Sequence, residues 1–246
     1  MPAQTASTQR PDSVFIQHMF DRLAGRYDLF NRLTSLGLDR RWRKAALTSL
    51  QGPMRVLDLG CGTGDVCLEA ARRLEGAGEV VGLDFSAPML AIAEKKKQKL
   101  PAEAARRIRF VLGKAEDLPL DDRPYDLVVS GFVLRNLYEN IDSILGGVYR
   151  SLKEGGRVSF VDITEPPARW KLKLWRFYMS TTAAFYGKLL FGRDYPVSYL
   201  TDSAQRFVKP ADFILKLQDA GFKEVRTRQF LFGVIVLYQA VKPGAQ

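Results

Sequence analysis

Residues 56–65, V-L-D-L-G-C-G-T-G-D, place three glycines between two aspartates, Asp58 and Asp65. Glycines at this density let a ligand approach the backbone closely. The lysine of a phosphate-binding P-loop is missing after Gly64, and the glycine spacing departs by one residue from the dinucleotide fingerprint. Because the flanking carboxylates repel phosphate and attract positive charge, the loop favours a cationic ligand.

A further acid lies where a nucleoside ribose would bind. Asp84 ends the apolar run V-V-G-L-D, and Phe85 follows it. A carboxylate at this point can accept hydrogen bonds from both ribose hydroxyls, and the ring beside it can pack on adenine. The alternative is a tight turn without a ligand. Because strand, glycine loop, helix, strand and terminal acid follow in order, we predict S-adenosylmethionine, which carries an ammonium and a sulfonium but no phosphate, as the cofactor.

The elements that position these residues are indicated by apolar runs that alternate with helical patterns. The runs are R-V-L-D-L, E-V-V-G-L-D, I-R-F-V-L-G, Y-D-L-V-V-S-G and R-V-S-F-V-D, followed by two closing strands, K-E-V-R-T-R-Q-F-L and G-V-I-V-L-Y-Q-A-V. Strands that are apolar throughout, with helices between them, predict a parallel sheet covered on both faces. Ligands on such sheets bind at the carboxyl ends of the strands, where Asp58, Asp84 and Gly131 lie.

Composition excludes several classes of function. The chain of 246 residues has one histidine, His18, and two cysteines, Cys61 and Cys67. This leaves no plausible zinc site and no triad with a histidine base, and it favours a reducing cytoplasm. We expect no secretory signal and no membrane span, because no run of about 18 apolar residues occurs. The net charge of +10 favours an anionic partner, either nucleic acid or a membrane surface.

The glycine loop resembles motif I of the class I S-adenosylmethionine-dependent methyltransferases. More narrowly, the chain resembles the UbiE/COQ5 family of C-methyltransferases of ubiquinone and menaquinone biosynthesis. The stretches that carry this likeness are residues 27–44, 130–137, 148–166 and 195–207. The chain departs from the family at Asp39, where the signature has histidine, and at Tyr238 and Gln239, which replace a histidine-containing end of the last strand.

The resemblance implies a fold and a division of the chain. The fold class is α/β, a Rossmann-like doubly wound sheet of about seven strands, mostly parallel with an antiparallel last strand. Residues 1–12 are a flexible N-terminus, and residues 13–50 are a helical lid, with breaks expected at Gly25 and Gly37. Residues 51–246 form the methyltransferase domain, with a helical insertion at about 166–206.

Candidate cofactor-binding residues follow from the loop, from the ends of later strands and from the resemblance. They are Asp58, Gly60, Gly62, Thr63, Asp84, Phe85, Lys114, Ala115 and Gly131. Lys114 stands where the family usually has Asp or Asn, and Gly131 stands where it often has serine.

Candidate catalytic residues follow from the chemistry that the resemblance implies, methyl transfer to a ring carbon. A reduced quinone becomes a good carbon nucleophile once a phenolic proton is removed, so a phenolate must be stabilised. Arg135, just after the fourth strand, is predicted to do this, and it is also a candidate substrate contact. The alternative is a salt bridge to an acid such as Glu139.

The N-terminal helices supply further candidates. Tyr27 and Asp28 are candidate catalytic residues, and Asn31 shares a helix face with Tyr27. Asp28 is either a base acting through water or an acid in the first turn of its helix. Tyr199 is a candidate substrate contact. For the neighbouring cluster Arg40, Arg41, Trp42 and Arg43, we favour a solvated helix face with the tryptophan buried.

Partner predictions concern lipid. The substrate is expected to be a lipophilic quinol, and no nucleic acid and no metal are expected. Residues 169–193 interleave aromatic and basic residues, which suits a helix in a lipid headgroup region or the wall of a prenyl-tail channel. The alternatives are a lid packed on the core or against a second subunit. We expect a cytoplasmic protein, with peripheral contact at the inner membrane face and a homodimer left open.

Other functions also stay open at this point. They are methylation of another phenolic or polyketide-like acceptor, RNA methylation, and S-adenosylmethionine binding without catalysis.

Overall fold

The computed structural model describes residues 13–118, 123–192 and 209–244. These residues form a seven-stranded sheet with the order β3-β2-β1-β4-β5-β7-β6. The strands are β1 (Arg55–Leu59), β2 (Glu79–Asp84), β3 (Ile108–Leu112), β4 (Tyr125–Gly131), β5 (Leu152–Ile163), β6 (Lys223–Phe230) and β7 (Ile235–Val241). Strands β1 to β5 pair in parallel, and β7 is antiparallel to both β5 and β6. The predicted sheet is confirmed, including its antiparallel last strand.

Nine α-helices are described around this sheet. They are α1 (Ser13–Thr34), α2 (Asp39–Ala46), α3 (Asp65–Arg73), α4 (Ala87–Lys97), α5 (Ala102–Arg106), α6 (Ile141–Ser151), α7 (Arg169–Tyr178), α8 (Ala184–Phe191) and α9 (Pro210–Asp219). A π-helical turn, Met179–Ala183, joins α7 to α8.

Each face of the sheet has its own apolar core, because the strands alternate their side chains between the two faces. Val56 of β1 packs with residues of α3, α4 and α5 on one face. Leu57 and Leu59 of the same strand pack with residues of α6 and α9 on the other. The sheet is therefore doubly wound, and the order of its strands reverses between β1 and β4, where ligands bind in such folds.

The N-terminal helix differs from the prediction at one of its two glycines. The break expected at Gly25 is wrong, since α1 continues through it to Thr34. A glycine inside a helix costs about 1 kcal/mol relative to alanine, and the packing of α1 on α4 and α8 offsets such a cost. The break at Gly37 is confirmed. This residue has a φ of +78° and its N–H donates to the carbonyl oxygen of Arg32 at 2.8 Å.

Several predictions lie outside the described residues or only partly within them. Residues 1–12, Tyr199 and the family-like stretch 195–207 are outside. The predicted insertion at 166–206 is described as far as residue 192, and it is helical from Arg169. Within the described ranges, no helix combines the length and the hydropathy needed to cross a bilayer.

Candidate active site

A cleft of about 490 Å³ opens at the carboxyl ends of β1, β2 and β4. Part of its lining was predicted from the sequence, namely Tyr27, Gly60, Gly62, Thr63, Asp84, Phe85 and Gly131. The rest was not, namely Phe20, Arg43, Cys61, Met89, Phe132, Val133 and Asn136. The predicted cofactor loop and the predicted lid residue Tyr27 thus meet in one place.

The glycine loop is held against the end of β2 and leaves one side open. The N–H groups of Gly60 and Cys61 donate to the Leu83 carbonyl oxygen at 2.8 and 2.9 Å. Gly60 has a φ of +68°, and a Cβ added there would lie 2.6 Å from Cγ1 of Val133. A Cβ added at Gly62, with a φ of +53°, would meet no atom within 4 Å. The loop therefore needs glycine at position 60 for packing, while at position 62 it leaves room for a ligand.

Asp84 is nearly buried at the edge of this cleft. Its Oδ2 accepts from the Gly62 N–H at 2.7 Å and its Oδ1 from the Ser86 N–H at 2.9 Å. Burial raises the pKa of the Asp84 carboxyl above its ordinary value. Each carboxylate oxygen keeps a second lone pair for a further donor. The predicted helix cap is confirmed, since Ser86 Oγ accepts from the Met89 N–H at 3.3 Å.

Asp58 lies beneath the loop, outside the cleft lining. Its Oδ2 accepts from the Cys67 thiol at 3.2 Å, whereas its buried Oδ1 accepts no hydrogen bond from the described residues. Burial raises the pKa of Asp58 to about 7. Burial also raises the pKa of the Cys61 thiol to about 11 and that of Cys67 well above its ordinary value. Both sulfurs are therefore protonated at neutral pH and are poor nucleophiles.

Helix α1 covers the loop through polar and aromatic contacts. Gln17 Nε2 donates to the Phe85 carbonyl oxygen at 2.9 Å, and Ser86 Oγ donates to Asp21. The Phe20 ring packs edge-on against Tyr27 and Phe85, with centroids 5.8 and 6.1 Å apart. The segment predicted to be a lid thus lies over the glycine loop.

Asp28 joins this lid to the loop and to α4. Its Oδ1 accepts from Thr63 Oγ1 at 2.6 Å, and its Oδ2 lies 2.5 Å from Lys96 Nζ. Lys96 also lies 2.7 Å from Asp65 Oδ1 and 3.0 Å from Thr63 Oγ1. Although burial raises the pKa of Asp65, the Lys96 ammonium and the Arg43 guanidinium together hold that pKa below its ordinary value. Asp28 thus serves as an ion-pair partner here, and its role as a base stays a prediction.

Arg135 is buried beside the cleft and is not one of the described residues that line it. Its Nη1 donates to Asp162 Oδ1 and to the Phe132 carbonyl oxygen, each at 2.7 Å. Phe132 lines the cleft with a φ of +67°, a region that residues with a Cβ seldom adopt. The structure thus shows the salt bridge that the sequence left as an alternative, with Asp162 as the acid. A role of Arg135 in turnover stays a prediction.

Arg43 is the basic residue among the described residues that line the cleft. Arg40 and Arg41 lie on a solvated helix face and Trp42 is buried, as predicted. For Arg43 the prediction of a solvated position is wrong. Its side chain is 11% exposed, and its Nε is 3.8 Å from Asp39 Oδ2. Its guanidinium carbon is 5.4 Å from the Phe132 ring centroid. Helical spacing explains this, because positions 39, 42, 43 and 46 share the inward side of α2.

The departures from the family pattern now have locations. Asp39 is buried and binds Arg32 at 3.0 Å in addition to Arg43, so it holds a residue of the cleft wall. Tyr238 is fully buried, with its ring 4.8 Å from that of Phe213, and belongs to the core.

The remaining predicted site residues are described outside the cleft lining. Lys114 is exposed, Ala115 packs against the core, and Asn31 is partly buried on α1. Their contacts with cofactor or substrate stay predictions.

The strand order, the glycine loop after β1 and the acid that ends β2 define a Rossmann-like methyltransferase that uses S-adenosylmethionine. Two solved structures with this fold are similar to the chain. One is an S-adenosylmethionine-dependent methyltransferase of Thermotoga maritima, described as a possible histamine N-methyltransferase (TM-score 0.62, 20% identity, 92% of this chain and 99% of that one). The other is the magnesium protoporphyrin IX methyltransferase of Synechocystis PCC 6803 with bound S-adenosylhomocysteine (TM-score 0.65, 19% identity, 94% and 100%).

The chain belongs to the ubiE/COQ5 methyltransferase family, which it matches over residues 4–242. A demethylmenaquinone methyltransferase of Lactiplantibacillus plantarum is 35% identical over 92% of this chain and 95% of its own length. One of Thermus thermophilus is 38% identical, over 92% and 100%. A ubiquinone/menaquinone biosynthesis C-methyltransferase of Geotalea daltonii is 35% identical, over 92% and 96%.

The residues of the cleft fit this cofactor. The Asp84 carboxylate suits the ribose hydroxyls, and the open side of Gly62 gives room for the ligand beside it. Phe85 and Met89 offer apolar contacts for adenine. The buried Oδ1 of Asp58 accepts no hydrogen bond from the described residues, so it has an acceptor to offer to the ammonium of the amino acid moiety.

Proposed function

We propose that the protein methylates a ring carbon of a reduced, prenylated quinol, either demethylmenaquinol or a ubiquinone precursor. The observation that carries the proposal is the similarity of nearly the whole chain to enzymes with these names, at 35 to 38% identity. The cleft supports it, because Phe20, Tyr27 and Phe132 give the wall three aromatic side chains.

The reaction needs an electron-rich ring carbon. Bound S-adenosylmethionine supplies a methyl group made electrophilic by its sulfonium. A hydroquinone that loses one phenolic proton places electron density on the carbon beside its oxygen. The new carbon–carbon bond forms as the carbon–sulfur bond breaks, and the ring carbon then releases its own proton to restore the aromatic ring. No oxidant is consumed.

Arg43 is our candidate for stabilising the phenolate. A guanidinium stays protonated and lowers the pKa of a hydroxyl placed beside it. The buried Nε of Arg43 makes no hydrogen bond within the described residues, so it has a donor to offer. Asp39 orients Arg43, and Phe132 excludes water next to it.

We assign Arg135 a positioning role in this scheme. Its hydrogen bond to the Phe132 carbonyl holds a ring of the cleft wall in a strained backbone conformation. Loss of the bond would let the wall relax, which lowers turnover without removing any contact to the cofactor.

The acceptor is tested by following the methyl group. The full chain is incubated with S-adenosylmethionine labelled in its methyl group, with a short-chain demethylmenaquinol, a demethylated ubiquinol precursor, a simple phenol or tRNA. We expect label in a prenylated quinol, no label with Asp84→Ala, and at least a tenfold lower kcat for Arg43→Met than for Arg43→Lys. Labelling of the phenol or tRNA in place of the quinols, or of no acceptor, contradicts the proposal.

The acceptor that we propose is lipophilic, so we also propose that the protein works at the cytoplasmic face of a membrane. Homodimerisation stays open, and light scattering of the full chain without lipid would test it.

A further inference from the structure

Five large apolar side chains extend into solvent from α7 and α8. They are Trp170, Leu174, Phe177, Phe185 and Leu189, and each is 60 to 66% exposed. Single exposed apolar side chains are ordinary, but a contiguous group marks an interaction surface. Their arrangement therefore matters.

The π-helical turn Met179–Ala183 brings the exposed apolar side chains of α7 and α8 to one side. At about 100° per residue, the three on α7 lie within about 60° of one another around the axis. An uninterrupted helix would place Leu189 about 100° away from Trp170. The extra residue that a π turn takes up returns Phe185 and Leu189 to within about 40° of Trp170. The five side chains thus form one stripe.

A sixth apolar side chain, Phe232, extends the stripe from the turn between β6 and β7. Phe232 is 73% exposed, with a φ of +59°, and Leu231 before it has a φ of +47°. For a residue with a Cβ, the left-handed region costs about 1 kcal/mol or more of conformational free energy. Lys171 Nζ lies 5.5 Å from the Trp170 ring centroid and 5.4 Å from that of Phe232. This ammonium joins the turn to α7, and the Phe232 ring extends into solvent despite the backbone strain.

The charged residues on the two helices of the stripe have one sign. Residues 166–192 contain five basic residues and no Asp or Glu. The basic residues are Arg169, Lys171, Lys173, Arg176 and Lys188. Arg176 pairs with Glu165 at 2.9 Å, and Arg169, Lys173 and Lys188 are exposed. We call these basic residues and the six apolar side chains the basic-aromatic face.

We propose that the basic-aromatic face docks on an anionic lipid bilayer, with its apolar side chains among the headgroups. A basic residue close to an anionic membrane contributes about 1 kcal/mol of attraction, and Trp and Phe favour the interface. This proposal deepens the proposed function by naming the surface through which the protein would bind a membrane, and it holds whichever acceptor is methylated.

The charge favours a bilayer over a second copy of the chain. A two-fold interface through this face would place its basic residues opposite the same basic residues of the other copy. Such juxtaposition of like charges disfavours association. An anionic surface supplies the complementary charge along the whole face.

The face is also tied to the lid. Tyr178 donates its hydroxyl to the Thr34 carbonyl oxygen at the end of α1, at 2.9 Å. Arg26 of α1 donates to the Leu190 carbonyl oxygen, and the rings of Phe30 and Phe191 lie 5.7 Å apart. Docking would thus place the helix that covers the cofactor loop next to the bilayer.

The test is sedimentation of the full chain with vesicles. The vesicles contain phosphatidylcholine alone, or equal parts of phosphatidylcholine and phosphatidylglycerol. We expect binding to the anionic vesicles at least tenfold stronger than to the neutral ones. The double variants Trp170→Ser/Phe177→Ser and Lys173→Glu/Lys188→Glu should each weaken it at least tenfold.

Matched controls lie elsewhere on the molecule. Leu112 is 60% exposed on β3, the strand at the opposite edge of the sheet from β6, and Lys99 is exposed after α4. Leu112→Ser and Lys99→Glu should bind vesicles as the unchanged protein does. Fluorescence gives a second readout, because Trp42 and Trp175 are buried while Trp170 is exposed. The emission should shift to the blue on anionic vesicles.

Two results would overturn the proposal. One is equal sedimentation of the two double variants and the unchanged protein. The other is a dimer, measured by light scattering without lipid, that the Trp170→Ser/Phe177→Ser variant dissociates, since the face would then be a subunit interface. Vesicle binding requires no acceptor, so a negative methyl-transfer assay leaves this test unaffected.

Discussion

The ammonium of Lys96 on α4 lies 2.5 Å from the carboxylate of Asp28 on α1, and 2.7 Å from that of Asp65 at the start of α3. One side chain thus joins the lid helix to the helix that follows the glycine loop. Thr63, at the cleft, is hydrogen-bonded within the same group.

This arrangement predicts that Lys96 slows the release of cofactor. Lys96→Met should leave two carboxylates without their cation and loosen α1, so S-adenosylhomocysteine should dissociate at least fivefold faster in stopped-flow measurements. Lys95→Met is the control, because Lys95 is an exposed neighbour on the same helix. Equal dissociation rates for both variants would show that the lid does not depend on this contact.

Gly60 should be more sensitive to alanine than a glycine with the same backbone strain. Gly60 and Gly52 have φ values of +68° and +60°, but only at Gly60 would a Cβ collide with Val133. Both alanine variants should lose about 1–2 kcal/mol of stability from backbone strain, and Gly60→Ala should lose more because of the collision. Only Gly60→Ala should also bind S-adenosylmethionine at least tenfold more weakly by calorimetry. Equal affinities would contradict the packing argument.

Asp58 should make a contribution to stability that falls as the pH rises from about 4 to 7. Burial raises the pKa of this carboxyl from 3.8 to about 7. In this window the unfolded chain releases the proton while the folded protein keeps it, so each pH unit costs up to about 1.4 kcal/mol.

Asp58→Asn isolates this contribution. The variant should show a flatter dependence of Tm on pH between 4 and 7, measured by calorimetry, whereas Asp219→Asn, an exposed change, should not. Buried Asp84 shifts in the same direction, so a smaller slope should remain. Parallel curves for Asp58→Asn and the unchanged protein would mean that Asp58 is ionised in the fold.

The Arg135–Asp162 pair separates stability from turnover. Both side chains are almost fully buried, so Arg135→Met should destabilise the fold by about 3–5 kcal/mol. Arg135→Met/Asp162→Asn also removes the Asp162 carboxylate, which Arg135→Met alone leaves buried without a cation. Because the asparagine keeps a carbonyl oxygen that can accept from the backbone N–H groups, the double variant should recover most of the lost stability.

The kcat of Arg135→Met/Asp162→Asn should stay at least tenfold below that of the unchanged protein. Its Kd for S-adenosylmethionine should lie within twofold of that of the unchanged protein. Recovery of kcat together with stability would leave Arg135 a purely structural role.

The strands could be predicted well because a buried strand shows as a continuous apolar run in its own sequence. β1, β2 and β4 have the predicted bounds, since each is an apolar run that ends at an acid or a glycine loop. β5 begins earlier than predicted, at Leu152. There L-K-E-G-G has the composition of a turn, and pairing of Leu152 with Tyr125 extends the strand.

The site could be predicted only in part because its contacts are long-range. Lys96 stands in a run of lysines and Arg43 in a run of arginines, with no local sign that distinguishes either from its neighbours. Asp162 was placed at a strand end, but its pairing with Arg135 depends on β4 and β5 lying side by side. Helical phase could have identified Arg43, since it lies one turn after the buried Asp39.

Strand β6 lies at one edge of the sheet with most of its residues exposed. Its sequence, K-E-V-R-T-R-Q-F, carries a charge at four of its eight positions. Charged side chains on an open strand deter another polypeptide from adding to the ladder and so guard against aggregation. The chain can therefore expose apolar side chains on α7 and α8 while the edge of β6 does not pair with strands of other molecules. Concentrated preparations should then stay free of fibrils.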